Sequence, residues 1–155
     1  MTQATEDDIQ GQCHCGRVRV TIRLACRPED IELRACECSF CRRHGTRTFA
    51  DPRGHALIEA PTPELLYRYR FGLKTADYLL CAACGVYIGA VLDSGGAQLA
   101  TVNAAGLDLQ IFQNHAVKPA DYSAENFAER LRRRLAAWMP AEVNFANVEH
   151  EQAVH

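Results

Sequence analysis

The chain has 155 residues, of which 48% are hydrophobic and 23% charged, the composition of one soluble globular domain. Its formal net charge of −2 excludes a general attraction to nucleic acid or to an anionic membrane surface. No apolar run approaches the roughly 20 residues that a membrane-spanning helix needs. The polar, acidic start at residues 1–8 differs from a secretory signal. We therefore expect a cytoplasmic protein with neither nucleic acid nor a membrane as partner.

Seven of the eight cysteines are clustered in the sequence. They occur as a pair, a triplet and a second pair: Cys13 and Cys15; Cys36, Cys38 and Cys41; Cys81 and Cys84. In a reducing compartment such closely spaced thiols are more often metal ligands than disulfides, so we favour metal binding over four disulfides. Cys26 has no close cysteine neighbour, and we interpret it as a free thiol.

Alternating apolar residues predict a mainly β fold. The clearest pattern is residues 17–24, where Val18, Val20, Ile22 and Leu24 alternate with polar residues. This alternation is typical of an antiparallel sheet with one face in water. Further strands are predicted over residues 31–35, 46–50, 56–58, 65–71, 76–80, 86–92 and 98–103.

The pattern changes to a helical period after Pro119. Four apolar residues at spacings of 4, 4 and 3 predict the buried face of one helix: Phe127, Leu131, Leu135 and Trp138. Ser123 is the predicted N-cap, Pro140 the predicted stop, and the arginines between them the predicted solvated face. We expect an N-terminal tail over 1–10, a zinc domain over 11–140 and a C-terminal tail over 141–155.

The seven clustered thiols divide into a set of four and a set of three. A structural zinc takes four protein ligands, whereas a catalytic zinc takes three and leaves one position for water or substrate. Thiolates also favour zinc over magnesium or calcium. The sequence thus predicts two zinc ions of different kinds.

Two groupings of the cysteines remain open at this point. In the first grouping, Cys38 and Cys41 join the second pair, which leaves the first pair with Cys36. In the second, the two distant pairs join each other, and Cys36, Cys38 and Cys41 stay together. We prefer the second grouping because the triplet is local and needs no distant ligand.

The chain from Gly11 to Asn103 resembles the glutathione-dependent formaldehyde-activating (GFA) family, also called the CENP-V/GFA domain. The resemblance rests on four motifs: Gly11-x-Cys13-x-Cys15-Gly16, Cys36-x-Cys38-Ser39-x-Cys41, Cys81-x-x-Cys84-Gly85 and Thr101-Val102-Asn103. It implies the Mss4-like (β-tent) fold of small antiparallel sheets. It further implies a structural zinc at Cys13, Cys15, Cys81 and Cys84, and a catalytic zinc at Cys36, Cys38 and Cys41.

The resemblance also implies an activity. It is carbon–sulfur lyase chemistry that interconverts S-hydroxymethylglutathione with formaldehyde and glutathione, with glutathione or a related thiol as the small-molecule partner. The open position of a three-cysteine zinc suits a substrate thiolate.

An anionic thiol would also need nearby cations, for which sequence proximity suggests Arg42, Arg43, His44 and Arg47. No motif identifies the glutathione contacts themselves. A zinc-stabilised, non-catalytic binding module is the alternative function. Methionine sulfoxide reduction is less favoured, because the first cysteine pair is C-x-C where that activity uses C-x-x-C pairs.

Overall fold

The structure, a computed structural model, describes residues 8–146, which form eleven β-strands and two α-helices. The strands are β1 (Ile9–Gln12), β2 (Arg19–Arg23), β3 (Leu33–Cys36), β4 (Thr48–Phe49), β5 (His55–Ala60), β6 (Leu66–Tyr69), β7 (Asp77–Cys81), β8 (Tyr87–Ser94), β9 (Ala97–Asn103), β10 (Val117–Ala120) and β11 (Met139–Phe145). The helices are α1 (Ser39–His44) and α2 (Phe127–Ala137). Neither helix of this described part is long and apolar enough to cross a membrane.

All eleven strands belong to one hydrogen-bonded sheet. Its main path runs β1-β2-β5-β11-β9-β4-β3-β10, and β8 branches from β9 to carry β7 and β6. Most neighbours are antiparallel, but β3 pairs with β10 and β5 pairs with β11 in parallel. The sheet therefore has mixed strand directions.

The mainly β fold with one C-terminal helix is confirmed, but the arrangement is more connected than small antiparallel sheets. Parallel neighbours need a long crossover connection. Both parallel pairs join strands that are far apart in the chain, so the strands and helices between the partners form these connections. Sequence alternation reports which face of a strand is buried, and it carries no information on the direction of its neighbours.

The core lies between the strands that the alternating patterns predicted. Val20 and Ile22 of β2 are buried, together with Ile58 of β5 and Val102 of β9. These side chains belong to one apolar cluster, which also includes Cys13 and Cys81. The first and second cysteine pairs are therefore attached to the main core.

Asn103 connects three parts of the fold at the end of β9. Its side chain is 2% exposed. It donates a hydrogen bond to the Tyr87 carbonyl at 3.0 Å and accepts one from the Arg47 amide at 3.0 Å. It thereby joins β8 and β9 to the segment that follows α1, the helix that carries Cys41.

Helix α2 begins three residues later than the sequence predicted. Asn126, not Ser123, is the N-cap, and it forms a capping box with Glu129. Asn126 accepts from the Glu129 amide at 2.8 Å, and the Glu129 carboxylate accepts from the Asn126 amide at 3.0 Å. This reciprocal pair satisfies two amide groups, which a cap at Ser123 would not.

The predicted buried face of α2 is wrong. Phe127 and Leu135 are 55% and 43% exposed, whereas Arg134 is only 5% exposed. Trp138, the C-cap, is the one predicted face residue that is buried. The helix is turned so that Arg134 faces the sheet, where it donates hydrogen bonds to the hydroxyls of Thr75 and Tyr78.

The predicted C-terminal boundary is also corrected for the residues that the structure describes. The helix ends at Ala137, and Pro140 lies inside β11, a strand between β5 and β9 in the sheet. The predicted tail over 141–155 therefore begins with sheet residues, and β1 likewise begins at Ile9 within the predicted N-terminal tail. The calls on residues 1–7 and 147–155 lie outside the described residues.

We expect Asn126→Ala to lower the free energy of unfolding by about 1 kcal/mol, because it removes the N-cap of α2. Ser123→Ala is the matched control, and its effect should stay within about 0.5 kcal/mol. Urea denaturation followed by circular dichroism measures both values. Equal losses in the two variants would contradict the capping assignment.

We expect Asn103→Ala to destabilise the protein more, by about 2–3 kcal/mol, because it leaves the Arg47 amide and the Tyr87 carbonyl unpaired. Asn114, which is exposed in a turn, provides the control substitution Asn114→Ala. The same denaturation experiment compares them. A small effect at Asn103 would show that water replaces its two hydrogen bonds.

Candidate functional site

Two groups of cysteine sulfurs are brought together by the fold. The first contains Cys13, Cys15, Cys81 and Cys84, and the second contains Cys36, Cys38 and Cys41. Within each group all sulfurs lie within 4.8 Å of one another. The alternative grouping would need Cys38 and Cys41 beside the second pair, whereas the structure places them in the separate triplet.

The four-sulfur group has spacings that suit a tetrahedral zinc site. The Cys15 sulfur lies 3.6 Å from the Cys13 sulfur and 3.6 Å from the Cys81 sulfur. Zinc–sulfur bonds in a tetrahedron place their sulfurs about 3.8 Å apart. Two of these cysteines come from the turn after β1, and the other two come from the end of β7 and the turn that follows it.

Each pair is shaped by a turn that ends on a glycine. Gly16 and Gly85 have φ angles of +82° and +81°, a conformation that side chains disfavour. Both glycines therefore adopt a left-handed conformation. Each turn is closed by a backbone hydrogen bond, from Gly16 to the Cys13 carbonyl and from Gly85 to the Cys81 carbonyl.

Backbone amides point at these sulfurs and favour their thiolate forms. The Val18 amide donates to the Cys13 sulfur at 3.3 Å. The backbone amide of Arg17, followed by its side chain, lowers the pKa of Cys15 to about 6. Burial instead raises the pKa of Cys81 to about 12. A metal ion that binds here would therefore displace a proton from the Cys81 thiol.

The triplet is built where β3 meets α1. Cys36 is the last residue of β3, and Cys38 is the N-cap of α1. The Cys38 sulfur accepts a hydrogen bond from the Cys41 amide at 3.4 Å. The segment between these two cysteines is therefore the first turn of a short helix, and the capping contact brings Cys41 to the same side as Cys38.

The thiols of the triplet are electrostatically coupled to each other. The Cys41 thiol donates to the Cys36 sulfur, which lowers the pKa of Cys36 to about 6 against the opposing effect of burial. The positive charge of Arg133 acts in the same direction. The shared proton and burial raise the pKa of Cys41. The three sulfurs of the triplet could together hold a metal ion, and Cys36 is the one whose thiolate form is favoured.

Aromatic side chains hold α1 against the sheet. The ring of Phe40 lies 5.2 Å from that of Phe71 and 5.0 Å from those of Tyr78 and Tyr87. Phe40 lies between Cys38 and Cys41 in sequence, so these contacts fix the position of the triplet. Three of these aromatic residues also line the two cavities described next: Phe71, Tyr78 and Tyr87.

The triplet opens onto two cavities between α2 and the sheet. The larger, about 270 Å³, is lined by Cys36 and Cys41 among other residues. The smaller, about 120 Å³, is lined by Cys36 and Cys38. Small-molecule sites are concave and largely apolar with a few polar groups, and this pair of cavities has that character.

Four arginines line these cavities, and none of them is among the cations suggested by sequence proximity to the triplet. Arg34 from β3 lines the larger cavity, Arg130 from α2 lines the smaller one, and Arg133 and Arg134 line both. The run of arginines in α2 reads as a solvated helix face in the sequence. Only the orientation of α2 in the fold shows that three of them face the site.

Two of the cations suggested by sequence proximity share a depression with the triplet. Arg42 and Arg47 line a third, shallower depression together with Cys36 and Cys41, and neither lines the two cavities described above. Arg43 donates to the Ser39 carbonyl at 2.9 Å, and the His44 ring stacks on Phe40 at 4.4 Å. Closeness in sequence therefore identified two cations beside the triplet and missed the arginines that line the two cavities.

Loss of one thiol should have different consequences in the two groups. We expect Cys38→Ser to remove one zinc ion per chain and leave the fold intact, because Cys38 lies at the edge of a cavity. Cys81→Ser should remove the other zinc and lower the melting temperature, because Cys81 is 1% exposed within the core.

Elemental analysis of the purified variants measures the zinc, and circular dichroism measures the melting temperature. Wild-type protein should contain two zinc ions per chain. If Cys38→Ser unfolds as readily as Cys81→Ser, the triplet is part of the structural framework.

Comparisons with known proteins agree with this geometry. The model of the family described as "Glutathione-dependent formaldehyde-activating enzyme" matches residues 8–129. A crystal structure of a Rhodobacter sphaeroides protein is similar to this chain, with 30% sequence identity and a TM-score of 0.52. That match covers 72% of this chain and 100% of the other. The family predicted from the cysteine motifs is confirmed: this chain belongs to the glutathione-dependent formaldehyde-activating enzyme family.

Proposed function

We propose that this protein is a zinc-dependent carbon–sulfur lyase. Its substrate is a thiol–aldehyde adduct such as S-hydroxymethylglutathione, and its products are formaldehyde and glutathione. The observation that carries the proposal is a three-sulfur metal-binding set that forms part of the wall of a cavity. A four-sulfur set of the same chain is packed into the core, which supports a structural role for that set.

The residues fit the metal that the proposal needs. The three sulfurs lie within 4.8 Å of one another, as ligands of one ion must, and they offer soft donors that zinc accepts. Zinc held by Cys36, Cys38 and Cys41 would supply one open position that binds the substrate sulfur and favours its thiolate form. Cys13, Cys15, Cys81 and Cys84 would hold a second zinc that stabilises the fold.

The reaction itself is a simple exchange of bonds. In the lyase direction the carbon–sulfur bond breaks and its electron pair stays on sulfur. The hydroxyl group of the adduct loses its proton, and its oxygen forms the carbonyl of the aldehyde. In the reverse direction the sulfur attacks the carbonyl carbon, and the oxygen gains a proton. The protein has to hold the sulfur and place a hydrogen-bonding group at that oxygen.

Tyr78 is suited to contact the oxygen of the adduct. It lines both cavities together with Cys36. Burial raises the pKa of its phenol, so the hydroxyl keeps its proton at neutral pH. The Tyr78 oxygen accepts a hydrogen bond from Arg134 at 3.3 Å, which leaves its own proton free to be donated. The hydroxyl of Tyr78 can thus donate a hydrogen bond to the aldehyde oxygen when sulfur attacks, and in the lyase direction the adduct hydroxyl loses its proton to water.

Exchange between formaldehyde and its glutathione adduct tests the proposal. We expect wild-type protein to accelerate the exchange of ¹³C-labelled formaldehyde, measured by NMR exchange spectroscopy. Cys36→Ser should return the exchange to the uncatalysed rate, because it removes one ligand of the proposed catalytic zinc. Cys26→Ser is the matched control, since Cys26 lines the same larger cavity but belongs to neither sulfur group.

The control should retain the wild-type rate. Full activity of Cys36→Ser would overturn the role of the triplet. If wild-type protein neither accelerates exchange nor binds glutathione, the non-catalytic binding module becomes the better description of this domain.

A further inference from the structure

Arg134 is a buried cation whose charge is not neutralised by an ion pair within the described residues. Its guanidinium donates to the hydroxyls of Thr75 and Tyr78, and it lies 4.7 Å over the ring of Trp138. Its Nε atom is buried and has no hydrogen-bond partner among residues 8–146. Burying a charge in this way is costly unless an anion completes the site.

The neighbouring cations differ from Arg134 because they already have acidic partners. Glu125 pairs with Arg133 at 2.8 Å and with Arg130 at 3.4 Å. Glu32 pairs with Lys118 at 3.0 Å and with Arg34 at 3.6 Å. Because Glu125 is shared by two arginines, a net positive charge remains at that group, and no acidic side chain among residues 8–146 forms an ion pair with Arg134.

The other acidic side chains that line the cavities form no ion pair with Arg134 among the described residues either. Asp30 pairs with Arg27 at 3.1 Å, and Asp121 accepts from the Ser123 amide at 2.9 Å. Asp51 accepts from the Ala25 amide at 2.6 Å, and Glu37 is exposed to solvent. The charge of Arg134 is thus available to a ligand in the cavities.

The position of Arg134 relates this charge to the triplet. Arg134 and Cys36 line both cavities, so a molecule whose sulfur lies at the triplet can extend toward the guanidinium. A planar guanidinium recognises a carboxylate better than other common anionic groups of thiols, since it can donate two parallel hydrogen bonds. Arg133, whose guanidinium lies 3.5 Å from the centre of the Tyr122 ring, adds a second positive charge nearby.

We infer that Arg134, assisted by Arg133, forms a carboxylate-binding subsite that selects thiols carrying a carboxylate group. The inference rests on the proposed function, because it requires the substrate sulfur to bind at the triplet. Both arginines lie after residue 129, beyond the range that the family model matches. The subsite lies on helix α2, and it makes Arg134 a determinant of which thiol is accepted.

Two thiols of equal length isolate the role of the carboxylate. They are 3-mercaptopropionate and 3-mercapto-1-propanol, and their binding to the zinc-loaded protein is measured by calorimetry. We expect wild-type protein to prefer the carboxylate thiol by about 10-fold or more, the contribution of a charge-assisted hydrogen bond. Arg134→Gln should abolish this preference and leave the affinity for the alcohol unchanged.

Two further variants complete the comparison. Arg134→Lys keeps the charge but not the paired donors, so it should retain part of the preference for the carboxylate thiol. It also keeps the test possible if Arg134→Gln fails to fold. Arg132→Gln is the matched control, since Arg132 is exposed on the same helix, and its preference should equal that of wild-type protein. Zinc content and circular dichroism verify that each variant is loaded and folded.

The outcomes separate this inference from the proposed function. If wild-type protein binds both thiols equally, or if Arg134→Gln weakens both equally, the subsite is overturned while thiol binding at the triplet stands. Equal binding would mean that no carboxylate is recognised, and an equal loss would mean that Arg134 acts on the metal site or the fold. If neither thiol binds wild-type protein, the proposed function fails and the subsite fails with it.

Discussion

The contact between sulfurs of distant turns is the constraint on which this fold depends. The Cys15 and Cys81 sulfurs lie 3.6 Å apart although 66 residues separate them in the chain. Thiolates at that distance repel one another unless a cation lies between them, so a shared metal ion would convert a repulsive contact into a crosslink. Such a crosslink would tie the β1–β2 turn to the β7–β8 turn.

The triplet depends on the same sheet through weaker and more distributed contacts. Phe40 packs among the aromatic side chains of the neighbouring strands, and Asn103 connects the segment after α1 to β8 and β9. These contacts therefore fix Cys38, the N-cap of α1, and Cys41, within α1, relative to Cys36 at the end of β3. A metal site with one open position requires ligands on rigid elements. Without that rigidity, a fourth protein ligand could move in and occupy the open position.

Helix α2 shows where reasoning from periodicity fails. The apolar spacing of Phe127, Leu131 and Leu135 predicts a buried face, yet the first and last of these are exposed and Arg134 is buried. Periodicity identifies the apolar face of a helix. The prediction that this face is buried assumes that the helix packs against an apolar surface. Here that surface contains a hydroxyl of Tyr78 and cavities beside three cysteines, so the polar face of the helix packs inward.

The sequence by itself determined the features that depend on local spacing. The clustered cysteines indicated the family, and the alternation around Val20 predicted a strand. Tertiary structure decided which sulfurs meet, that β11 continues the sheet through Pro140, and that Arg133 and Arg134 face the cavities. These outcomes depend on contacts between residues far apart in the chain, and such contacts leave no periodic trace in a single sequence.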